Sequence, residues 1–145
     1  DDNTPGRVPK GRWFTSDRGY QEALELQKST GADIIIYFFR YDLKDEKGLC
    51  TWWERHGLQH GRVSKLLQDY IKVKVQMPFK PREREMFAEK FKFNKTPAVY
   101  IVRADGGFPT RIQVFDWPNN KPQLKDHQTL ISEIQKASSQ RSTSP

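Results

Sequence analysis

Apolar and polar positions recur along the chain with two periods, and the switches between them mark out its elements. Tyr20, Ala23, Leu24 and Gln27 share one helical face behind Ser16 and Asp17, either of which suits a helix cap, and Gly31 lies just past the expected end. Residues 33–40 form a continuous apolar and aromatic run of strand length, the pattern of a strand buried on both faces. Residues 52–56 predict a helical turn that Gly57 and Gly61 interrupt before Val63, Leu66, Leu67 and Tyr70 resume the period, so one broken helix is expected. Ile71, Val73 and Val75 alternate with Lys72, Lys74 and Gln76, which predicts a half-buried strand ended by Pro78. Residues 83–91 offer Met86, Phe87 and Phe91 to one helical face and lead into a turn at 94–97. Residues 98–103 and 111–115 flank Ala104, Asp105, Gly106 and Gly107, the strongest hairpin signal in the chain. Residues 126–137 close the series as a helix with Leu130, Ile131 and Ile134 together.

The order helix, strand, broken helix, strand, helix, hairpin, helix implies an α/β fold, with a mixed central sheet covered by helices on both faces. A chain of 145 residues is the size of one domain, and 12% aromatic content gathered into blocks supplies a core although hydrophobic residues reach only 35%. Residues 1–12 have the proline, glycine and charge of an extended arm, residues 13–137 carry the domain, and residues 138–145 form a polar tail expected to be flexible.

Charge and cysteine content narrow the function classes. Residues 62–95 hold ten basic and four acidic residues and so most of the formal charge of +7, yet there is no arginine-rich run or nucleic-acid motif, and no nucleic-acid partner is expected. The longest uninterrupted apolar run, residues 34–39, is far too short to cross a bilayer, so no membrane insertion is expected. A single cysteine rules out an internal disulfide, the usual mark of an exported protein. The first residue is Asp1 rather than methionine, which either a removed signal peptide or a trimmed chain would produce.

The order of elements resembles the thioredoxin fold, and more narrowly the exported thioredoxin-like domains related to the carboxy-terminal domain of the thiol:disulfide interchange proteins. The landmarks are Trp13 leading into a helix with Glu22, Ala23 and Leu24, the strand at 34–39 preceding a cysteine, residues 63–70 leading into the strand at 71–75, and Phe91, Thr96 and Pro97 introducing residues 98–102. The resemblance spans about residues 13–137 and implies an exported or periplasmic location. It also implies a cis bond at Thr96-Pro97, facing the redox centre and presenting the Thr96 backbone to an extended peptide.

At the redox motif the chain departs from the resemblance. Catalytic relatives carry Cys-Xaa-Xaa-Cys where a helix terminus stabilises a thiolate; here only Cys50 is available, within Gly48-Leu49-Cys50-Thr51-Trp52-Trp53. If Cys50 is the first position, Trp53 replaces the resolving thiol; if it is the second, Lys47 replaces the nucleophile. Counting back from Val63 favours the second, with an inserted charged loop at 41–47.

One thiol cannot complete a dithiol cycle alone, because a second must release the mixed disulfide. Two readings follow. Cys50 is a buried structural residue in a redox-degenerate module that binds a protein or peptide through the surface around Trp52, Trp53, Thr96 and Pro97; alternatively, Cys50 is the catalytic nucleophile of a monothiol exchange enzyme resolved by an external thiol. A cysteine-bearing partner suits either. His56 and His60, four apart and near Cys50, have ligand character, but Gly57 weakens the helix between them and no fourth ligand is evident, so neither metal nor cofactor is assigned. His127 is expected to face solvent. The cluster of Phe115, Asp116, Trp117 and Pro118 is read first as a cap on the sheet edge, with contact to a partner as the alternative.

Overall fold

The structure is a computed structural model and describes residues 7–138. The first six residues of the arm and positions 139–145 of the tail lie outside the described residues. Val8 packs against the core and Pro9 is buried, so the end of the arm is docked. Ser138 is also buried: its hydroxyl makes a short hydrogen bond with the Tyr70 hydroxyl, which places this residue in the domain rather than the tail.

Five strands form the main sheet in the order β1 (Trp13–Thr15), β3 (Ile71–Gln76), β2 (Ile34–Phe39), β4 (Ala98–Val102), β5 (Thr110–Ile112). The first three run parallel, while β4 is antiparallel to β2 and to β5. This is the mixed α/β sheet that the sequence predicts. The central β2 sends Ile34, Ile36 and Phe38 to one face and Ile35 and Tyr37 to the other. Both faces are covered. Helices α1 (Ser16–Thr30) and α4 (Pro81–Phe87) enclose the first face, where Phe38 meets Phe87, Phe91 and Tyr100. Helices α2 (Lys44–Trp53), α3 (Gly61–Leu67) and α5 (His127–Ala137) cover the second. Each fully enclosed Ile, Leu or Phe contributes roughly 1.5–3 kcal/mol.

Helix α1 ends as its sequence requires, with Gly31 at φ 72° and its amide bonded to the Gln27 carbonyl at 2.8 Å. Its start differs from expectation. Thr15 holds the cap position, no side chain caps the helix, and Ser16 takes a left-handed φ of 68°. The Ser16 hydroxyl instead lies 2.8 Å from Glu83 Oε2 and from Asp17 Oδ1, joining α1 to α4.

Helix α2 is the main departure. It begins at Lys44, inside the segment read as an inserted loop, and passes into a π-helical turn at Glu54–Leu58. Lys44, Glu46 and Lys47 are good helix formers, and Asp45 and Glu46 fall in the first turn, where the helix dipole favours negative charge. Gly48 is tolerated within the helix, and Gly57 does not end it but sits inside the wide turn.

Strand β3 is more buried than its alternation predicts, because Lys72 turns inward and donates to the carbonyls of Leu67 and Tyr70 at 3.2 and 3.4 Å. Helix α4 starts at Pro81, which suits a first helical position, and stops at Phe87, leaving Phe91 to pack from a turn. Beyond β5, the two-residue strands β6 (Phe115–Asp116) and β7 (Gln123–Leu124) pair as a small separate ribbon. Among the described residues no helix is long and apolar enough to cross a membrane.

Candidate functional site

The site is assembled where α2 passes the turn before β4. Thr96-Pro97 is a cis peptide bond, and it places Thr96 beside the second turn of α2. The Cys50 sulfur lies 3.5 Å from Thr96 Oγ1, so the two segments on which the functional reading depends are in contact.

Cys50 is 0% exposed. Burial pushes its thiol above the ordinary cysteine range, since the charged thiolate would lose hydration. Hydrogen-bond direction supports the same state. One turn earlier on α2, Glu46 Oε1 accepts both the Thr96 backbone N–H and the Thr96 hydroxyl, each at 2.8 Å. The single Thr96 hydroxyl proton is thereby committed to Glu46, so Thr96 accepts from a Cys50 thiol and has no proton left for a thiolate.

On the other side of Cys50, the Tyr37 hydroxyl donates to Glu54 Oε2 at 2.8 Å and lies 3.4 Å from the Cys50 carbonyl. Tyr41 donates to the same Glu54 oxygen at 2.5 Å. Burial, and then the negative charge that Cys50 and Glu54 would bring, hold Tyr37 protonated well above the usual phenol range. Glu54 opens the π-helical turn, which aims its carboxylate back at both tyrosines.

The two tryptophans separate. Trp52 is 36% exposed and meets the Phe115 ring edge-on at 5.3 Å. Trp53 is 0% exposed, and its Nε1 is enclosed with no hydrogen-bond partner among the described residues. The expectation that Trp53 joins a binding surface is therefore corrected: its indole fills the core between Tyr37 and the π-helical turn. Trp117, read as an edge cap, is 50% exposed and borders a groove of about 360 Å³ with Leu49, Thr96, Pro97 and Phe115. Lys95 and Arg111 supply the basic side of that groove.

The histidines do not converge on Cys50. His60 stacks on His127 at 4.3 Å between ring centroids, and His60 Nδ1 accepts the Arg62 amide at the start of α3. His127 is thus partly covered rather than facing open solvent. His56 is exposed on the π-helical turn. Among the described residues no three His, Cys, Asp or Glu side chains are grouped to hold a metal ion.

Glu46, Tyr37 and Glu54 were missed at the level of sequence. Glu46 stands four residues before Cys50, a helical spacing that would have exposed it had the charged segment been read as helix.

Strand order and the flanking helices define a thioredoxin-like fold. The chain is similar to a thioredoxin from Thermus thermophilus at 18% identity, covering 86% of this chain and 85% of that one, with a TM-score of 0.54. It is similar to the reduced Neisseria meningitidis DsbD c-terminal domain at 12% identity, covering 85% and 98%, with a TM-score of 0.60. A protein described as DsbH Oxidoreductase matches at 19% identity over 87% and 83%, with a TM-score of 0.61. At these identities the likeness establishes the fold. No family model matches the chain, and no curated protein matches it.

Proposed function

We propose that this chain is a redox-degenerate thioredoxin-fold module that binds a protein or peptide segment beside the Thr96-Pro97 turn. The observation that carries this reading is the state of Cys50: a lone thiol, fully enclosed, raised in pKa by burial and set against a threonine whose proton points elsewhere. Such a thiol fills space and anchors the turn. The binding surface is then Trp52 and the groove that runs to Trp117, into whose wall the largely buried Thr96 and Pro97 are set.

The alternative is monothiol exchange. There a Cys50 thiolate attacks a partner disulfide, one partner sulfur leaves as thiolate, and an external thiol resolves the mixed disulfide. It requires access and a lowered pKa, and Cys50 has neither in this arrangement.

Alkylation of native Cys50 by iodoacetamide across pH 6–10 separates the two, with free cysteine, which titrates near pH ~8.5, as reference. The binding-module reading expects a rate at least about a hundredfold below that reference throughout. Fast labelling near neutral pH, or thiol-dependent turnover of insulin disulfides, establishes the enzyme instead. We also infer an exported setting from the resemblance to exported thioredoxin-like domains; fractionation of cells expressing the full-length gene product tests it.

A further inference from the structure

The Thr96 amide is the main-chain donor that an extended partner would be expected to use at this turn, and the chain has already filled it. Glu46 Oε1 takes that N–H and the Thr96 hydroxyl together, both at 2.8 Å. This is a small carboxylate site with two convergent donors, occupied from within. Charge-assisted bonds of this length are the stronger kind, so an incoming neutral carbonyl would be a poor replacement.

The surroundings continue the same chemistry. Lys95 precedes the turn and lines the adjoining groove with Arg111. Among the described residues Lys95 makes no ion pair, and Arg111 Nε is enclosed with no hydrogen-bond partner, its only bond being a long one, 3.5 Å, from Nη2 to the Lys95 carbonyl. The Nη end of the same guanidinium is exposed and lines the groove, so it is the part that an acidic group supplied from outside can meet. Pro97, Phe115 and Trp117 give the same groove an apolar floor.

We propose that Glu46 is an internal ligand closing the Thr96 turn, and that the partner which displaces it is an acidic peptide segment pairing carboxylates with apolar side chains. One carboxylate takes over the two Thr96 donors, a neighbouring one meets Lys95 and Arg111, and an apolar side chain lies against Trp117. The exchange is like for like at Thr96, so affinity comes from the groove, and Glu46 sets the threshold that a partner must exceed. This inference rests on the peptide-binding reading and adds the partner's chemistry to it.

The test uses two dye-labelled capped octapeptides, one alternating Glu and Leu and the other Gln and Leu, titrated by fluorescence anisotropy. The proteins are the wild type, Glu46→Ala, and Glu46→Ala combined with Lys95→Gln and Arg111→Gln. Amide hydrogen exchange at Thr96 and at Val99 and Ile101 of β4 reports the turn and the fold separately. In Glu46→Ala the Thr96 amide should lose protection while β4 keeps it, and the acidic peptide should bind at least about tenfold more tightly than to wild type. The gain should disappear for the Gln peptide and in the triple variant. Equal gain for both peptides leaves peptide binding standing and overturns the acidic partner. A Thr96 amide that stays protected in Glu46→Ala overturns the internal ligand. No binding of either peptide to a folded Glu46→Ala protein with an open Thr96 amide overturns both the inference and the reading beneath it.

Discussion

Gly57 sits directly against the indole of Trp53: a Cβ at position 57 would fall 2.2 Å from Trp53 Cε3. The π-helical turn at Glu54–Leu58 carries the backbone over the ring, and only a residue without a side chain permits that approach. Gly57→Ala should therefore destabilise the fold by about 1–3 kcal/mol through overpacking. Combination with Trp53→Leu should recover part of the loss, read as a coupling of ~0.5 kcal/mol or more in a chemical-denaturation cycle. Independent, additive losses would show that the two residues do not share the space.

Alkaline pH should weaken the fold. Cys50 and Tyr37 both have folded-state pKa values raised above their unfolded values, and burial pushes Tyr20 up to about 12. The folded chain holds these protons while the unfolded chain releases them, so the stability they contribute is complete below the unfolded values and is lost as pH rises through the folded ones. Denaturation midpoints should be flat from pH 7 to ~8.5 and fall between about 9 and 11. Tyr37→Phe should shallow that fall, and an unchanged slope would remove Tyr37 from the account.

Cys50→Ser should fold and keep a compact site, since a serine hydroxyl can donate to Thr96 Oγ1 as the thiol does at 3.5 Å. The expected cost is about 1 kcal/mol, from the loss of sulfur packing and the greater polarity of the hydroxyl. Thermal unfolding measures it. Labelling of wild-type Cys50 in rising urea should track the unfolding transition rather than precede it, because the sulfur is fully enclosed.

Lys72→Met should cost about 1–3 kcal/mol despite preserving the stem. The ammonium donates to the carbonyl of Leu67, the last residue of α3, where a cation also complements the helix dipole, and to that of Tyr70 just before β3, and methionine leaves both carbonyls without that donor. Equilibrium denaturation of Lys72→Met against Lys72→Arg distinguishes the lost charge from altered packing.

What could be read from the chain alone was set by how strongly local periodicity is expressed. The doubly buried run at Ile34–Phe39, the αL glycine closing α1 and the glycine pair between β4 and β5 each leave a local signature, and each element is found there. The α2 start did not, because Lys44–Lys47 carries charge in a pattern shared by solvated loops and exposed helical turns. Gly57 misled for a related reason: its low helix propensity was visible, whereas its contact with Trp53 is tertiary. Strands β1, β6 and β7 have three, two and two residues, too few for a period of two to register. At the site, Cys50 and the Thr96-Pro97 turn stood out by residue type; Glu46 and Glu54, ordinary surface residues in sequence, gained meaning from the elements brought beside them.

The main sheet is bounded by β1 and β5, each three residues long. So little exposed ladder gives a foreign strand few main-chain groups to align with, which makes runaway edge-to-edge stacking of identical molecules unfavourable. At high concentration the protein should accordingly resist forming fibrils, and any assembly it does form should be held by side chains.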